Sequence, residues 1–348
     1  MAPLNDPSIP PGAWVLVTGV NGLVGSHVAN QLLAHGYRVR GTVRSIDKNA
    51  WMVDHFDRKF GKGFFELVQV VDITKPGAFD DAVRGMAGVM HVASAVTFDP
   101  NPDQVIPVAV DSTIRMLESA AGEASVERFV LTSSYSALVY PHPNQRIRVT
   151  AETWNEESVL VAQNLPKDMS DGQKGFAVYC ASKTKGEQAM WDWVKQNKPA
   201  FVVNSVLPGG NFGKVLDVKN QGYPSTTGCA EALYTNQNKE LIDAFVHAYA
   251  PEWFVDTEDC ALLHVAALVR KDVAGERVFA VAEPFNWNKV LQSLRKSFPD
   301  REFAEDVPGL YDDLAIIEPA SRAEALLKYM GRDGFLSLDE SLRREFEK

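Results

Sequence analysis

The sequence has few cysteines and no surplus of basic residues. The three cysteines, Cys180, Cys229 and Cys260, are widely spaced and match neither a zinc site nor a disulfide framework. Lys plus Arg number 35 against 45 Asp plus Glu, which gives a formal net charge of −10 at pH 7. Such a chain lacks the positive charge that neutralises nucleic-acid phosphates or docks on an anionic membrane. We therefore expect no nucleic-acid or membrane partner, and a reducing, cytoplasmic compartment.

Long apolar runs are also missing. No stretch reaches the roughly 20 apolar residues of a membrane-spanning helix. The N-terminal MAPLNDPSIPPGAW has neither the basic region nor the apolar core of a secretory signal. The histidines show no spacing typical of metal ligands, so we expect no metal. With 45% hydrophobic and 23% charged residues the composition is that of an ordinary globular protein, and 348 residues leave room for two domains or one large one.

Strands and helices alternate through the first part of the chain. Apolar runs at 14–18, 37–43, 65–71, 88–93, 128–132 and 201–207 are separated by segments of helical period, the last of which begins near residue 179. Further helices are predicted over residues 230–249 and 338–346. This rhythm predicts an α/β fold, a doubly wound parallel sheet over residues 1–207. We expect a smaller, mostly helical substrate-binding part over 208–348, interleaved with the first. Residues 141–175 interrupt the rhythm and are either a lid or a plain surface excursion.

The sharpest local signal is a glycine-rich turn between the first strand and the first helix. Gly19, Gly22 and Gly25 are spaced as in a dinucleotide-binding loop. The first permits a tight turn, the second lets the backbone approach a pyrophosphate, and the third lets the helix pack close to the sheet. The helix N-terminus presents free N–H groups to the anion. The turn therefore predicts a Rossmann-type fold, the alternative being an ordinary glycine-rich turn.

The end of the second strand bears on which cofactor is bound. NAD sites usually place an acidic residue there for the ribose 2′-hydroxyl, but this chain has no acid before Asp47. Arg40 and Arg44 can instead fork onto a 2′-phosphate, which favours NADP(H). The alternative is two solvated arginines. After the third strand, Asp72 is either a carboxylate that contacts adenine or a cap or turn residue.

Polar side chains that suit hydride transfer follow the fifth strand. That strand ends at Thr132 and is followed by Ser133 and Ser134, and further on Tyr179 and Lys183 stand four residues apart. Residues four apart share one face of a helix. A tyrosine can protonate the alkoxide formed from a carbonyl, a nearby ammonium lowers the pKa of that tyrosine, and a serine can hold the same oxygen. The alternative is a surface pair on a helix.

Together these motifs resemble the extended short-chain dehydrogenase/reductase superfamily, nearly end to end. The residues that carry the resemblance are Thr18-Gly19-x-x-Gly22-x-x-Gly25, Asp72-Ile73, His91-Val92-Ala93-Ser94, Thr132-Ser133-Ser134, Tyr179-x-x-x-Lys183 and Leu207-Pro208-Gly209. Gly41-Thr42-Val43-Arg44 is similar to the dihydroflavonol-reductase-like branch. The segment from Gly36 to Thr42 and Phe285-Asn286-Trp287-Asn288 resemble the yeast and fungal NADPH-dependent aldehyde and ketone reductases of that branch.

The resemblance implies roles for individual residues. Tyr179 is the implied proton donor, Lys183 binds the nicotinamide ribose, and Ser134 rather than Ser133 polarises the carbonyl. The implied cofactor-binding residues are Gly19, Asn21, Gly22, Leu23 and Val24 at the pyrophosphate; Arg40, Arg44 and Lys48 at the 2′-phosphate; Asp72 and Ile73 at adenine; and Ala93, Ser94, Ala95, Thr132, Tyr179, Lys183, Pro208, Gly209 and Asn211 along the rest of NADP(H).

The substrate is less constrained by the sequence. Aromatic residues in segments that flank the crevice suit a bulky, mostly apolar ketone or aldehyde, such as an aryl ketone or a β-ketoester. The residues expected to line the substrate pocket are Phe98, Tyr135, Phe176, Phe212 and Tyr223. We therefore expect an NADPH-dependent carbonyl reductase, as a monomer or homodimer. The alternatives are a nucleotide-sugar epimerase or dehydratase of the same superfamily, which normally holds NAD, and a non-catalytic NADP-sensing protein.

Overall fold

The computed structural model describes residues 6–94, 96–237 and 252–347. Its centre is a parallel sheet of seven strands in the order β10-β7-β5-β4-β1-β2-β3. These strands are β1 (Trp14–Val17), β2 (Arg38–Val43), β3 (Phe65–Gln69), β4 (Gly88–His91), β5 (Arg128–Thr132), β7 (Val202–Pro208) and β10 (Arg277–Ala280). The strand order reverses between β1 and β4, which confirms the predicted doubly wound, Rossmann-type α/β fold.

Helices cover both faces of the sheet. Their bounds are α1 (Leu23–Ala34), α2 (Ile46–Asn49), α3 (Trp51–Phe60), α4 (Asp80–Val83), α5 (Pro102–Ala121), α6 (Glu156–Gln163), α7 (Asp171–Asn197), α8 (Val218–Gln221), α9 (Thr226–Thr235), α10 (Thr257–Val269), α11 (Trp287–Ser297), α12 (Ala320–Tyr329) and α13 (Leu338–Phe346). None of these helices has the length and apolarity of a membrane span.

The strands bury side chains in both directions because successive residues point to opposite faces. In β1, Val15 and Val17 pack with α1 and α10, whereas Leu16 packs with α5 and α7. Each of these two groups of packed side chains excludes water from one face of the sheet. Strands that are buried on both faces typically consist of consecutive apolar residues, whereas strands with one exposed face alternate apolar and polar residues.

Two small sheets complete the fold. The first joins β8 (Gly210–Phe212), β9 (Glu252–Asp256) and β11 (Glu283–Phe285), and the second pairs β6 (Arg148–Val149) with β12 (Ile316–Ile317). Both β10 and α10 follow residue 207 in the chain but pack into the large sheet and its helix layer. Elements from before and after residue 207 therefore share the large sheet and one of its helix layers.

The interrupted segment 141–175 is more regular than its sequence suggested. It contains β6, α6 and the start of α7, and α6 packs against α5 and α7. Helix α7 begins at Asp171, eight residues before the predicted helix, because Ser170 and Gln173 form a capping box. Of the helix expected over 230–249, the structure describes residues 230–237, of which α9 covers those up to Thr235, and the rest lies outside the described residues.

Candidate active site

The turn between β1 and α1 leaves no room for side chains at two glycines. Gly19 has φ +62°, and a Cβ there would lie 2.9 Å from the Cα of Ala93. A Cβ on Gly25 would lie 2.3 Å from the carbonyl oxygen of Gly19. Helix α1 begins after Gly22 without a side-chain cap, so the N–H groups of its first turn are available to an anion.

The ends of β1 and β4 are locked together beside this turn. The Thr18 hydroxyl accepts hydrogen bonds from the N–H groups of Val92 (3.0 Å) and Ala93 (2.9 Å). It therefore donates its own proton to Nδ1 of His91, 3.0 Å away. Burial, with a smaller contribution from the charge of Lys183, lowers the pKa of His91 to about 3. His91 is thus a neutral acceptor that fixes the wall of the cleft.

A cleft of about 770 Å³ opens at the carboxyl ends of the strands. Its volume is in the range of small-molecule and cofactor sites, roughly 300–1,000 Å³. The residues assigned from sequence to cofactor or catalysis that line it are Gly19, Asn21, Gly22, Leu23, Val24, Arg44, Asp72, Ile73, Ala93, Ser94, Thr132, Ser134, Tyr179, Lys183, Pro208, Gly209 and Asn211. Ala95 lies outside the described residues.

Arg40 and Lys48 are not among the residues that line the cleft. Arg40 lies mid-strand opposite Glu66 of β3, and its Nε is 2.6 Å from Oε1 of that residue. Its Nη1 also donates to two backbone carbonyls, each 3.0 Å away. Of the three residues assigned from the sequence to the 2′-phosphate, Arg44, just past the end of β2, borders the cleft. The assignment of Arg40 and Lys48 stays a prediction that the described geometry does not support.

The sequence left two roles open for Asp72, a turn residue or a residue at the adenine, and its position is compatible with both. Its carboxylate accepts from the backbone N–H and the hydroxyl of Thr74, at 3.0 and 2.7 Å. These hydrogen bonds lower the pKa of Asp72. The residue is a turn residue, and it also lines the cleft.

The structure brings Ser134, Tyr179 and Lys183 together. Tyr179 and Lys183 lie one turn apart on α7, with Nζ of Lys183 5.9 Å from the centroid of the Tyr179 ring and 3.1 Å from the hydroxyl of Ser94. The hydroxyl of Ser134 lies close enough to that of Tyr179 to favour the ionised phenol and oppose the rise in its pKa. Ser133 instead donates to Glu187 at 2.7 Å. This geometry favours Ser134 over Ser133 as the residue that contacts a carbonyl oxygen.

Burial dominates the electrostatics of this pair. It raises the pKa of Tyr179, against the opposing effect of the Ser134 hydrogen bond. Burial also lowers the pKa of Lys183 to about 8, while the charge of Glu187 raises it. The chain by itself therefore does not show the lowered Tyr179 pKa that the sequence predicted, because the loss of water around the phenol is the dominant effect. Tyr179 keeps its proton at neutral pH, as a proton donor must.

A buried ion pair beneath the cleft fixes α7. Glu187, one turn beyond Lys183, accepts from Ser133 and Ser205, both at 2.7 Å, and from Nε of Arg277 at 2.9 Å. Arg277 also donates to two carbonyls of the 141–175 segment, at 2.9 and 2.7 Å. This network joins α7 to β5, β7 and β10. No motif in the sequence pointed to it.

Two of the five predicted substrate-pocket aromatics lie at the Tyr179 ring. Phe98 lines the cleft, with its ring centroid 5.1 Å from that of Tyr179. Phe176 stacks on Tyr179 from the same helix, at 6.4 Å. The two rings make an apolar wall beside the phenol and contribute to the burial that raises the pKa of Tyr179.

Phe176 and the other three are not among the residues that line the cleft, so their assignment to the substrate pocket stays a prediction. Tyr135 is buried, and its hydroxyl donates to Asp313 at 2.8 Å. Phe212 is fully buried in the C-terminal core. The ring of Tyr223 packs on Phe346, at 6.0 Å between centroids. The sequence places them in the right segments, but side-chain direction is decided by contacts with distant parts of the chain.

The family model of the NAD dependent epimerase/dehydratase family matches residues 15–282. The chain belongs to this family. It is 41% identical to Aldehyde reductase 2 of Sporidiobolus salmonicolor over 99% of this chain and 98% of that protein. It is 37% identical to ketoreductase adrE of Penicillium roqueforti, covering 96% of each.

Among solved structures, the chain is similar to the yeast methylglyoxal/isovaleraldehyde reductase Gre2 complexed with NADPH. The TM-score is 0.74 at 25% identity, over 95% of this chain and 96% of that one. These findings confirm the predicted superfamily and the similarity to fungal aldehyde and ketone reductases.

Proposed function

We propose that this chain is an NADPH-dependent carbonyl reductase that reduces ketones and aldehydes to alcohols, with bulky aryl ketones and β-ketoesters among its substrates. The observation that carries the proposal is the meeting of Ser134, Tyr179 and Lys183 in one cleft with the glycine turn. The printed names of the relatives, an aldehyde reductase and a ketoreductase, agree with this chemistry.

The described residues fit NADP(H) in three respects. The uncapped first turn of α1 offers N–H groups to a pyrophosphate. The end of β2 carries Arg44 at the cleft, where NAD sites usually carry an acid. Lys183 and Ser94 lie side by side on the cleft wall, as donors to a ribose. The structural relative Gre2 was solved with NADPH.

In the proposed reaction, the bound cofactor supplies a hydride to the carbonyl carbon. Tyr179 gives its proton to the oxygen, which would otherwise become an alkoxide. Ser134 donates a hydrogen bond to the same oxygen and orients it. Lys183 binds the ribose, and its ammonium favours the tyrosinate that remains after transfer. Phe98 and Phe176 exclude water from the reacting oxygen.

We further propose that residues 1–207 bind the cofactor and 208–348 supply the substrate side of the cleft. Thr226 and Glu252, which line the cleft from the second part, support this division. We also propose a cytoplasmic location, supported by three buried, unpaired cysteines. A monomer or a homodimer is proposed, and light scattering after size-exclusion chromatography distinguishes the two.

The test is to measure consumption of NADPH and NADH side by side with aryl ketones, β-ketoesters and aldehydes. We expect kcat/KM to be at least about tenfold higher with NADPH, because a charge-assisted contact to the 2′-phosphate is worth ~1.5–3 kcal/mol. Tight cofactor binding without turnover of any carbonyl would refute the reductase. Conversion of a nucleotide sugar in the presence of NAD would instead show that the chain is an epimerase or dehydratase.

A further inference from the structure

We propose that Glu252 is a specificity-determining residue that donates a hydrogen bond to a second oxygen of the substrate, an ester or carbonyl oxygen close to the ketone. This inference rests on the proposed reductase function and names the substrate class within it. Nothing in the sequence motifs pointed to Glu252, which precedes the apolar run Trp253–Val255 like an ordinary strand-end residue.

Glu252 lies at the substrate side of the cleft. It is the first residue of β9, where it pairs with Phe285 of β11, and it lines the cleft with Asn211, Thr226 and Tyr179. In its ionised form Glu252 would raise the pKa of the Tyr179 hydroxyl. The two groups therefore lie within electrostatic range of each other in the same cleft.

The surroundings of Glu252 favour a neutral carboxylic acid. Burial first, and the neighbouring Asp313 second, raise the pKa of Glu252 to about 8. Asp313 has both of its oxygens engaged, one by the hydroxyl of Tyr135 and one by the N–H of Ala315, each at 2.8 Å. These hydrogen bonds favour the ionised form of Asp313 and oppose the rise in its pKa that burial causes. Glu252 is therefore the carboxyl of the two that holds a proton more readily.

The other titratable groups that face Glu252 do not neutralise it. Tyr135, Tyr179 and Cys180 approach it from the segments packed against β9 and feel its charge, and burial raises the pKa of each. They keep their protons and carry no positive charge near neutrality. Among the described residues, the charge that acts on Glu252 is that of Asp313.

A protonated carboxyl in the cleft wall is a hydrogen-bond donor. The ketone oxygen is taken by Tyr179 and Ser134, so the Glu252 proton remains for another acceptor on the same substrate. A β-ketoester or a dicarbonyl provides one, whereas a plain ketone leaves the Glu252 donor without a partner. Above pH 8 the carboxylate can no longer donate, and it repels an ester oxygen.

The experiment compares a matched pair of ketones, ethyl 3-oxo-3-phenylpropanoate and 1-phenylbutan-1-one, with saturating NADPH. The ratio of their kcat/KM values is measured at pH 6.5 and pH 9 for the wild type, Glu252→Gln and Glu252→Leu. Titration of Tyr179 and Lys183 affects both substrates and cancels in the ratio. Glu283→Gln on the adjacent strand β11, outside the cleft, is the matched control.

We expect the wild type to prefer the ketoester about tenfold at pH 6.5, the worth of one hydrogen bond, and to lose most of this preference at pH 9. Glu252→Gln should keep the preference at both pH values, because an amide donates without titrating. Glu252→Leu should lose it at both, and Glu283→Gln should match the wild type.

An equal ratio for the wild type and Glu252→Leu at both pH values would overturn the assignment of Glu252 and leave the reductase intact. If Glu252→Leu does not fold, a wild-type ratio that falls with pH while that of Glu252→Gln stays constant still supports it, and parallel profiles overturn it. Failure of the wild type to reduce any ketone or aldehyde, these two included, would instead overturn the reductase proposal, and this inference with it.

Discussion

At the scale of single residues, burial moves Tyr179 and Lys183 toward their neutral forms. The tyrosine holds its proton more tightly, and the pKa of the lysine falls to about 8. Glu187, a further turn along α7, acts in the opposite sense on Lys183 and favours the ammonium. The pair therefore combines a protonated phenol with a cation whose charge is maintained by a buried carboxylate.

Replacing the phenol hydroxyl tests its role directly. Tyr179→Phe removes the proton donor but keeps the ring between Phe98 and Phe176. We expect kcat to fall about 10²- to 10⁴-fold, the usual contribution of a general acid, with an unchanged Kd for NADPH by fluorescence titration. A variant with wild-type kcat would remove Tyr179 from the mechanism.

Arg44 and Arg40 form a matched pair for testing cofactor choice. Arg44 borders the cleft, while Arg40 is held by Glu66. We expect Arg44→Ala to raise the KM for NADPH about 10- to 100-fold and leave the KM for NADH within about twofold, because only NADPH carries the 2′-phosphate.

Arg40→Ala is the control for this prediction. It should lower the melting temperature and leave the ratio of the two KM values unchanged. The reverse result, a changed ratio in Arg40→Ala alone, would restore the assignment made from the sequence.

At the scale of elements, the turn between β1 and α1 keeps its shape because it has no room for a side chain at Gly25. Gly25→Ala would place a methyl group 2.3 Å from the carbonyl of Gly19, so the turn must open. We expect a lower melting temperature and an NADPH Kd at least about tenfold weaker, since the first-turn N–H groups are displaced. Calorimetry measures both.

The control substitution is Gly122→Ala at the end of α5. The methyl group there meets its nearest neighbour, the carbonyl of Ser119, at an ordinary 3.5 Å. Both the melting temperature and the NADPH affinity should match the wild type. Equal effects of the two substitutions would mean that close packing at Gly25 is not what shapes the turn.

The elements also show how far a sequence determines a fold. The bounds of β5 and α13 follow from apolar runs and periodicity alone and agree with the structure. Short strands escape this reading: β11 is Glu283–Phe285, with a proline at its centre, and three residues contain no measurable period. The start of α7 was readable from the Ser170 and Gln173 capping box, a signal that composition obscured.

The site divides in the same way. The glycine turn and the Tyr179–Lys183 pair are predictable because each is a local spacing that fixes its own geometry. Other features depend on which distant strands pack nearby. These are which of Arg40 and Arg44 borders the cleft, the burial of Phe212 in the C-terminal core, and the position of Glu252 at the cleft. No single segment contains that information.

At the scale of the whole molecule, buried titratable groups oppose one another. Burial lowers the pKa of His91 to about 3 and of His264 to about 4, so the unfolded chain binds more protons than the folded chain below pH 6.5, and stability rises with pH there. Burial raises the pKa of Glu252 to about 8 and that of Glu345 well above its usual value. These carboxyls retain protons that the unfolded chain releases above about pH 4.5, so their contribution falls as pH rises.

Above pH 6.5 the histidine contribution is complete. Lys183, whose pKa burial lowers to about 8, acts in the opposite sense above that pH, so the carboxyls should make the free energy of unfolding fall between pH 6.5 and about 8. Glu345→Gln keeps an acceptor for the N–H of Gly213, 3.2 Å away, but cannot titrate. Its decline over the same range should be shallower than that of the wild type, by up to ~1.4 kcal/mol per pH unit. Urea unfolding measures it, and Glu324→Gln, an exposed carboxylate paired with Lys328, should follow the wild-type slope. Parallel slopes for all three proteins would mean that Glu345 is ionised in the folded chain as it is in the unfolded chain, because only a proton retained on folding makes the decline depend on this residue.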